Sequence, residues 1–331
     1  MKSGKMPNAL LTRFLEKLSI DDPRVIVQPS IGEDTAAVSI SEEDVIVLKS
    51  DPITFATNSI GYYAVTVNAN DVAASGAAPQ WFLSTILLPK STEVSTAERI
   101  MNDIRNECSA REITLCGGHT EITDAVIRPV VCGMMVGTVP AGSIIDKKNM
   151  ETGDRIIMTK GAAVEGTAVI AGEFSERLRR GGISESSIRR CLGFLKSIGI
   201  QKEAGIAVDS GCVSAMHDVT EGGVSTALAE LSSAGQHVIA VDVDSIPILS
   251  ETQQICDLLE LDPLGLIGSG SLIICCNAEG FKELIRRLDA AGIPAAAIGE
   301  VGEEGEGTVP FGNSSRELPI FEVDEITKLY S

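Results

Sequence analysis

The clearest periodic segment begins at Ser95. Ile100, Met101, Ile104 and Cys108 recur at helical spacing behind a Ser95 and Glu98 capping-box pattern, which predicts an amphipathic helix. Apolar runs at residues 45–49, 81–88, 113–116 and 127–139 predict buried strands around it. The stretch 65–77 is lined with small residues and, if helical, projects Asn68 and Asp71 from one face at i, i+3. Farther along, residues 155–159, 237–243, 271–276 and 295–301 read as strands. Helical stripes occur at Ile188, Cys191, Leu192, Leu195 and Ile198, at Val224, Leu228 and Leu231, and at Phe281, Leu284, Ile285 and Leu288. Between 137 and 153 the pattern breaks into Gly, Pro, Ser, Lys and Asp, which marks a domain boundary. The expected organisation is an N-terminal domain over 1–145 and a C-terminal α+β domain over 146–331, in keeping with a length of 331 residues.

Charge narrows the partners. With 27 Lys and Arg against 46 Asp and Glu, the formal charge of -19 repels phosphate backbones and anionic lipid, so neither nucleic acid nor a membrane surface is expected. A nucleotide is compatible with this surface when divalent cations bridge carboxylates to phosphates. Residues 1–18 mix Lys2, Lys5, Arg13, Glu16 and Lys17 into their apolar positions, unlike a signal peptide, and the longest apolar stretch, 129–145, is shorter than the roughly 20 residues of a spanning helix. A cytoplasmic protein is expected. The 8 cysteines show no C-x-x-C spacing and read as reduced core residues.

Several short segments could carry chemistry. Asp34 follows Gly32 and Glu33 before an apolar run, and Asp51 ends the strand 45–51 at a point where α/β folds often place ligand contacts or simply turn. Asn68 and Asp71 either serve a ligand or satisfy neighbouring backbone groups. Gly117 and Gly118 allow successive amides to face one anion, with His119, Thr120 and Glu121 adding side chains. Lys160 follows a strand and is either a phosphate contact or a surface charge. His217, Asp218, Thr220, Glu221, Gly222 and Gly223 lead into a helix, so its free amides lie beside a carboxylate; ordinary capping by Asp218 or Thr220 fits equally. No P-loop, nucleophile elbow or protein-kinase catalytic loop is present.

Singly these signals are weak, but their order is specific: Gly-Glu-Asp-Thr-Ala at 32–36, Ser-Asp at 50–51, Asn-Ala-Asn-Asp-Val-Ala-Ala-Ser-Gly-Ala at 68–77, Gly-Gly-His-Thr-Glu at 117–121, Thr-Lys-Gly at 159–161 and His-Asp-Val-Thr-Glu-Gly-Gly at 217–223. The series resembles the AIR synthase (PurM-like) superfamily across nearly the whole chain. That resemblance implies a two-domain α+β architecture whose N-terminal sheet domain forms a homodimer interface, with ATP and Mg2+ as cofactors. It implies Asp34, Asp51, Asp71 and Asp218 as magnesium ligands, and Asn68, Gly117, Gly118, His119, Thr120, Thr220 and Gly222 as nucleotide or phosphate contacts. Lys160 would help neutralise phosphate, and Asp71, His119 and Lys160 would stand nearest the reaction. Catalysis would be mostly positioning and charge neutralisation.

Thr-Lys-Gly and Asp-Val-Thr-Glu-Gly-Gly look most like the branch of the hydrogenase maturation protein HypE, whereas Gly-Gly-His-Thr-Glu is closer to the selenophosphate and purine branches. The sequence ends Thr327-Lys328-Leu329-Tyr330-Ser331, where that branch carries a carbamoyl-accepting cysteine. The expectation is an enzyme that uses ATP to phosphorylate and activate a carbonyl, amide or related oxygen. Its substrate would be a small molecule or another protein's tail, with a maturation protein as partner and no carbamoylation of its own chain. A kinase of the thiamine-monophosphate type and a non-catalytic nucleotide-binding partner protein are the alternatives; retention of all four aspartates argues against the last.

Overall fold

The computed structural model describes residues 8–15, 17, 20–54, 59–312 and 315–330. Part of the charged segment 1–18, and Ser331, lie outside them. In chain order the helices are α1 (Asn8–Leu15), α2 (Ile60–Ala74), α3 (Val94–Ala110), α4 (Val164–Glu173), α5 (Ser175–Arg180), α6 (Glu185–Gly193), α7 (Gln201–Ser210), α8 (Gly223–Gly235), α9 (Ser250–Leu259) and α10 (Phe281–Ala290). The strands are β1 (Val25–Val27), β2 (Ala36–Ser39), β3 (Asp44–Ile53), β4 (Ala78–Pro89), β5 (Thr114–Thr123), β6 (Val130–Pro140), β7 (Arg155–Thr159), β8 (Val213–Asp218), β9 (His237–Val241), β10 (Leu272–Cys276), β11 (Ala295–Glu304) and β12 (Thr308–Pro310). They divide into two compact units, Asp21–Gln28 with Asp34–Ile144, and Met1–Ile20 with Pro29–Glu33 and Ile145–Ser331, called here the first and second domains.

The first domain is a 6-stranded sheet in the order β1-β2-β3-β6-β4-β5, antiparallel except for the parallel pair β4 and β5. One face is covered by α2 and α3. Val45, Val47, Phe82, Ile86, Leu88, Val131 and Met135 from the strands meet Ala64, Val65, Ala69 and Val72 of α2 and Ile100 and Ile104 of α3. Small residues let the layers close: a Cβ on Gly61 would lie 2.7 Å from the Ile100 carbonyl oxygen, so α2 and α3 touch backbone to backbone there. α2 is buried on almost every side, which explains why it shows no apolar stripe.

Four expectations change. β4 is half-buried, with Phe82, Ile86 and Leu88 inside while Trp81 and Leu83 stay 39% and 38% exposed, because helices cover only one face of the sheet. β3 continues through Asp51 and Pro52 to Ile53, so Asp51 lies within a strand. β5 runs to Thr123 and takes Gly117 to Thr120 into an exposed edge strand, not into a loop after it. α3 starts at Val94 with Glu93 as N-cap and no side-chain cap bond; Ser95 Oγ instead reaches Glu93 Oε2 at 3.5 Å, and Met101 faces outward.

The second domain has a 6-stranded sheet in the order β12-β9-β11-β7-β10-β8, antiparallel apart from β12 on β9. Val224, Leu228 and Leu231 of α8 pack on Ile156, Met158, Ile273 and Cys275. A separate apolar cluster joins Ile170 of α4, Leu178 of α5, Ile188 and Cys191 of α6 and Ile255 of α9. Sequence periodicity misses α4, α5, α7 and α9. α4 is buried on most sides and so has no stripe, while α5 is a 6-residue helix. The stripe 188–198 breaks after Gly193 into a 3-10 turn, which leaves Leu192 exposed. Cys275 and Cys276 are buried as expected, but Cys116 is exposed on β5. Among the described residues no helix is long and apolar enough to cross a membrane.

Candidate functional site

In the first domain two of the expected magnesium ligands, Asp51 and Asp71, flank one ammonium. Lys49 Nζ is 3.1 Å from Asp71 Oδ2 and 3.3 Å from Asp51 Oδ2. Burial pulls the Lys49 ammonium toward neutrality, but the carboxylates of Asp71, Asp51 and Asp34 outweigh it and hold its pKa well above the ordinary lysine value. Asp71 is 2% exposed on α2, whereas the Asp51 side chain is 41% exposed and open to a ligand. Two carboxylates on one cation, with Asp34 near enough for its charge to be felt there, are a hard-oxygen donor set, which fits Mg2+ and not a thiolate-seeking or imidazole-seeking metal.

Asn68, expected at the nucleotide, is hydrogen-bonded within the first domain. Its Oδ1 accepts from the Asp51 amide at 2.9 Å, and its Nδ2 donates to the Ala64 carbonyl at 2.8 Å and the Asp51 carbonyl at 3.4 Å. The side chain thus fixes the β3 backbone and thereby aims Asp51. Gly133, opposite Asp51 on β6, makes room for it, since a Cβ there would lie 2.4 Å from Asn68 Nδ2 and 2.8 Å from Phe82.

Gly117 to Thr120 stand apart from this cluster. Asp51, Gly133, Ser84 and Gly118 form one row across β3, β6, β4 and β5, so Gly118 is three strand spacings from Asp51, roughly 14 Å. Gly118 is required by closeness, because a Cβ would fall 1.9 Å from the Ser84 carbonyl oxygen. His119 is 67% exposed and 3.7 Å from Glu121 Oε2, the arrangement of a solvated edge strand.

In the second domain Asp218 ends β8 fully buried, and its neighbour His217 meets Glu230 Oε2 of α8 at 3.4 Å. The glycine turn beyond it is already bonded. Gly222 N donates to Asp324 Oδ2 at 2.6 Å, and Thr220 O accepts from Gly223 N at 3.1 Å and from Gly268 N at 3.2 Å. A phosphate at Gly222 would therefore have to replace the Asp324 carboxylate. Burial pushes Asp324 up to about 6, against the pull of the Gly222, Ile326 and Ile267 amides. Glu165 of α4 is pushed up to about 7 by burial, opposed by Ser269, whose amide donates to it at 3.2 Å, and reinforced by Asp324 and Asp218. Lys160, expected at phosphate, is an internal strut: its Nζ meets Glu203 Oε1 at 2.5 Å and the carbonyls of Ser197 and Gly199 at 2.7 and 2.8 Å.

Lys49, Glu165, Glu230 and Asp324 were not singled out by motif. Only Lys49 carried a readable signal, since it interrupts the apolar row Val45, Val47 at the same strand parity.

Family models of the AIR synthase related protein match both parts of the chain, the N-terminal domain model over residues 32–139 and the C-terminal domain model over residues 151–311. A hydrogenase expression/formation protein of Methanocaldococcus jannaschii is 28% identical over 285 residues, covering 84% of this chain and 82% of its own. A carbamoyl dehydratase HypE of Cupriavidus necator is 28% identical over 286 residues, covering 83% and 78%. Among solved structures, the hydrogenase maturation protein HypE in complex with ATP has a TM-score of 0.71 at 19% identity and covers 98% of this chain and 97% of its own, a likeness of fold.

Proposed function

Because this chain belongs to the AIR synthase related family, we propose that it is a cytoplasmic, magnesium-dependent enzyme that uses ATP to phosphorylate a carbonyl, amide or related oxygen. The observation that supports this reading is the convergence of Asp51 and Asp71 on a single cation in the first domain, within the field of Asp34. The relative named as a carbamoyl dehydratase favours a carbonyl-type substrate over an alcohol. The substrate would be a small molecule or another protein's tail, and the relative named for hydrogenase formation makes a maturation protein the natural partner.

When bound, Mg-ATP supplies the phosphoryl group that turns the oxygen into a leaving group. The chain's own part is placement and charge. Asn68 pins the backbone of Asp51, α2 presents Asp71 from a buried position, and these two carboxylates would hold the metal. Asp218 is a buried carboxylate of the second domain. No side-chain nucleophile is needed, because the substrate oxygen attacks the phosphoryl group itself.

Calorimetry tests the first step. ATP should bind with Mg2+ and bind little in chelator, since an acidic surface repels uncompensated triphosphate. Asp71→Asn should weaken binding at least tenfold while Glu304→Gln, on the exposed end of β11, leaves it unchanged; similar losses in both would mean that bulk charge and not a site governs binding. Phosphorus NMR of the products then separates the chemistries. Carbonyl activation ends in free phosphate, whereas accumulation of a stable phosphorylated product would indicate a kinase.

A further inference from the structure

β3 places Val45, Val47, Lys49 and Asp51 on one side of the strand, the side that α2 covers. A purely structural strand would continue Val45 and Val47 with another apolar residue. Here a lysine does so, with its side chain only 13% exposed, and burying a charge in this way is costly unless it is paired. The pairing is specific. The ammonium is 3.1 Å from Asp71 Oδ2 and 3.3 Å from Asp51 Oδ2, two carboxylates that come from different elements. That position, within reach of both oxygens, is where a divalent cation bridging them would also have to sit.

We propose that Lys49 is the resident cation of the aspartate cluster, holding Asp51 and Asp71 together without metal and competing with a divalent ion for the space between them. This rests on the magnesium-dependent reading of the site and concerns how that site is filled. An ion approaching Asp71 must displace the ammonium or stand beside it, and two positive centres about 4 Å apart repel appreciably even at the effective dielectric of a near-surface site. Free metal is therefore bound weakly, and the ion enters together with the nucleotide, whose phosphates offset the added charge. Lys49 makes the site selective for the metal–nucleotide complex over the bare ion.

The probe is Mn2+ alone, titrated into the full chain and followed by electron paramagnetic resonance. Wild type and Lys49→Arg should bind weakly, Lys49→Met should bind at least tenfold more tightly, and the gain should vanish in Lys49→Met combined with Asp71→Asn. Equal or weaker Mn2+ binding by Lys49→Met than by wild type overturns the proposal. Thermal unfolding guards against a variant that is merely damaged: Mn2+ should raise the Tm of Lys49→Met measured in its absence and leave wild type unmoved, and no Mn2+ shift in the variant counts against the proposal. Mg-ATP titration of the same wild-type preparation separates the two readings. Loss of Mg-ATP binding there removes the proposed function and this proposal with it, whereas intact Mg-ATP binding with unchanged Mn2+ affinity in Lys49→Met removes only the role of Lys49.

Discussion

At the scale of single residues, Glu165 makes the second domain sensitive to pH. Its carboxyl is raised from 4.5 to about 7, burial being the main cause. In the pH interval between those values the folded chain holds a proton that the unfolded chain has released, so stability falls as pH rises from about 4.5 to about 7 and levels off above. The full effect is on the order of 3 kcal/mol. Glu165→Gln keeps an acceptor for the Ser269 amide and removes the titration, so urea midpoints followed by circular dichroism should lose this part of their decline between about pH 4.5 and about 7. An unchanged pH slope in the variant would show that Glu165 does not carry it.

Among elements, the contact between α2 and the sheet does the most to shape the site. Asn68 reaches from α2 to the β3 backbone only because Gly133 on β6 leaves space above it. Gly133→Ala would press a methyl group against Asn68 Nδ2 and Phe82, an overpacking that costs about 1 to 3 kcal/mol. Trp81 is the only tryptophan and stands on β4 of the same domain, so its fluorescence reports unfolding there directly. The urea midpoint should drop, and Mg-ATP affinity should fall with it, because Asp51 loses its backbone anchor. A lower midpoint with unchanged affinity would separate the packing role of Asn68 from any role in aiming Asp51.

At the scale of the whole molecule, the first-domain sheet leaves an apolar face and a strand edge exposed. β5 is exposed along nearly its entire length as an edge strand, and Trp81, Leu83 and Met134 stand exposed on the face that α2 and α3 leave bare, with Leu83 and Met134 directly paired across β4 and β6. An unpaired edge beside an apolar face invites association. We propose that this face is the homodimer interface. Light scattering should give twice the chain mass, and Leu83→Arg should shift it to the monomer; a concentration-independent monomer of the wild type would remove the dimer from the functional reading.

The α+β class, the family, α3, most of the strands and the aspartates near Lys49 are legible in the sequence, because each is written in local periodicity or in an ordered series of short motifs. Its silence is equally physical. α4 is buried on most sides and has no polar face for periodicity to detect, and a strand edge such as β5 looks the same in sequence whether a neighbour covers it or not. Asn68, Lys160 and Gly222 carry the residue types expected at a nucleotide, yet their hydrogen bonds go to Asp51, to Glu203 with two carbonyls, and to Asp324. Those partners are distant in the chain, as Lys49 is from Asp71. Only tertiary structure decides such pairings, because a polar group is committed by whatever partner the fold brings within 3 Å or so of it, and nothing in its immediate neighbours encodes that distance.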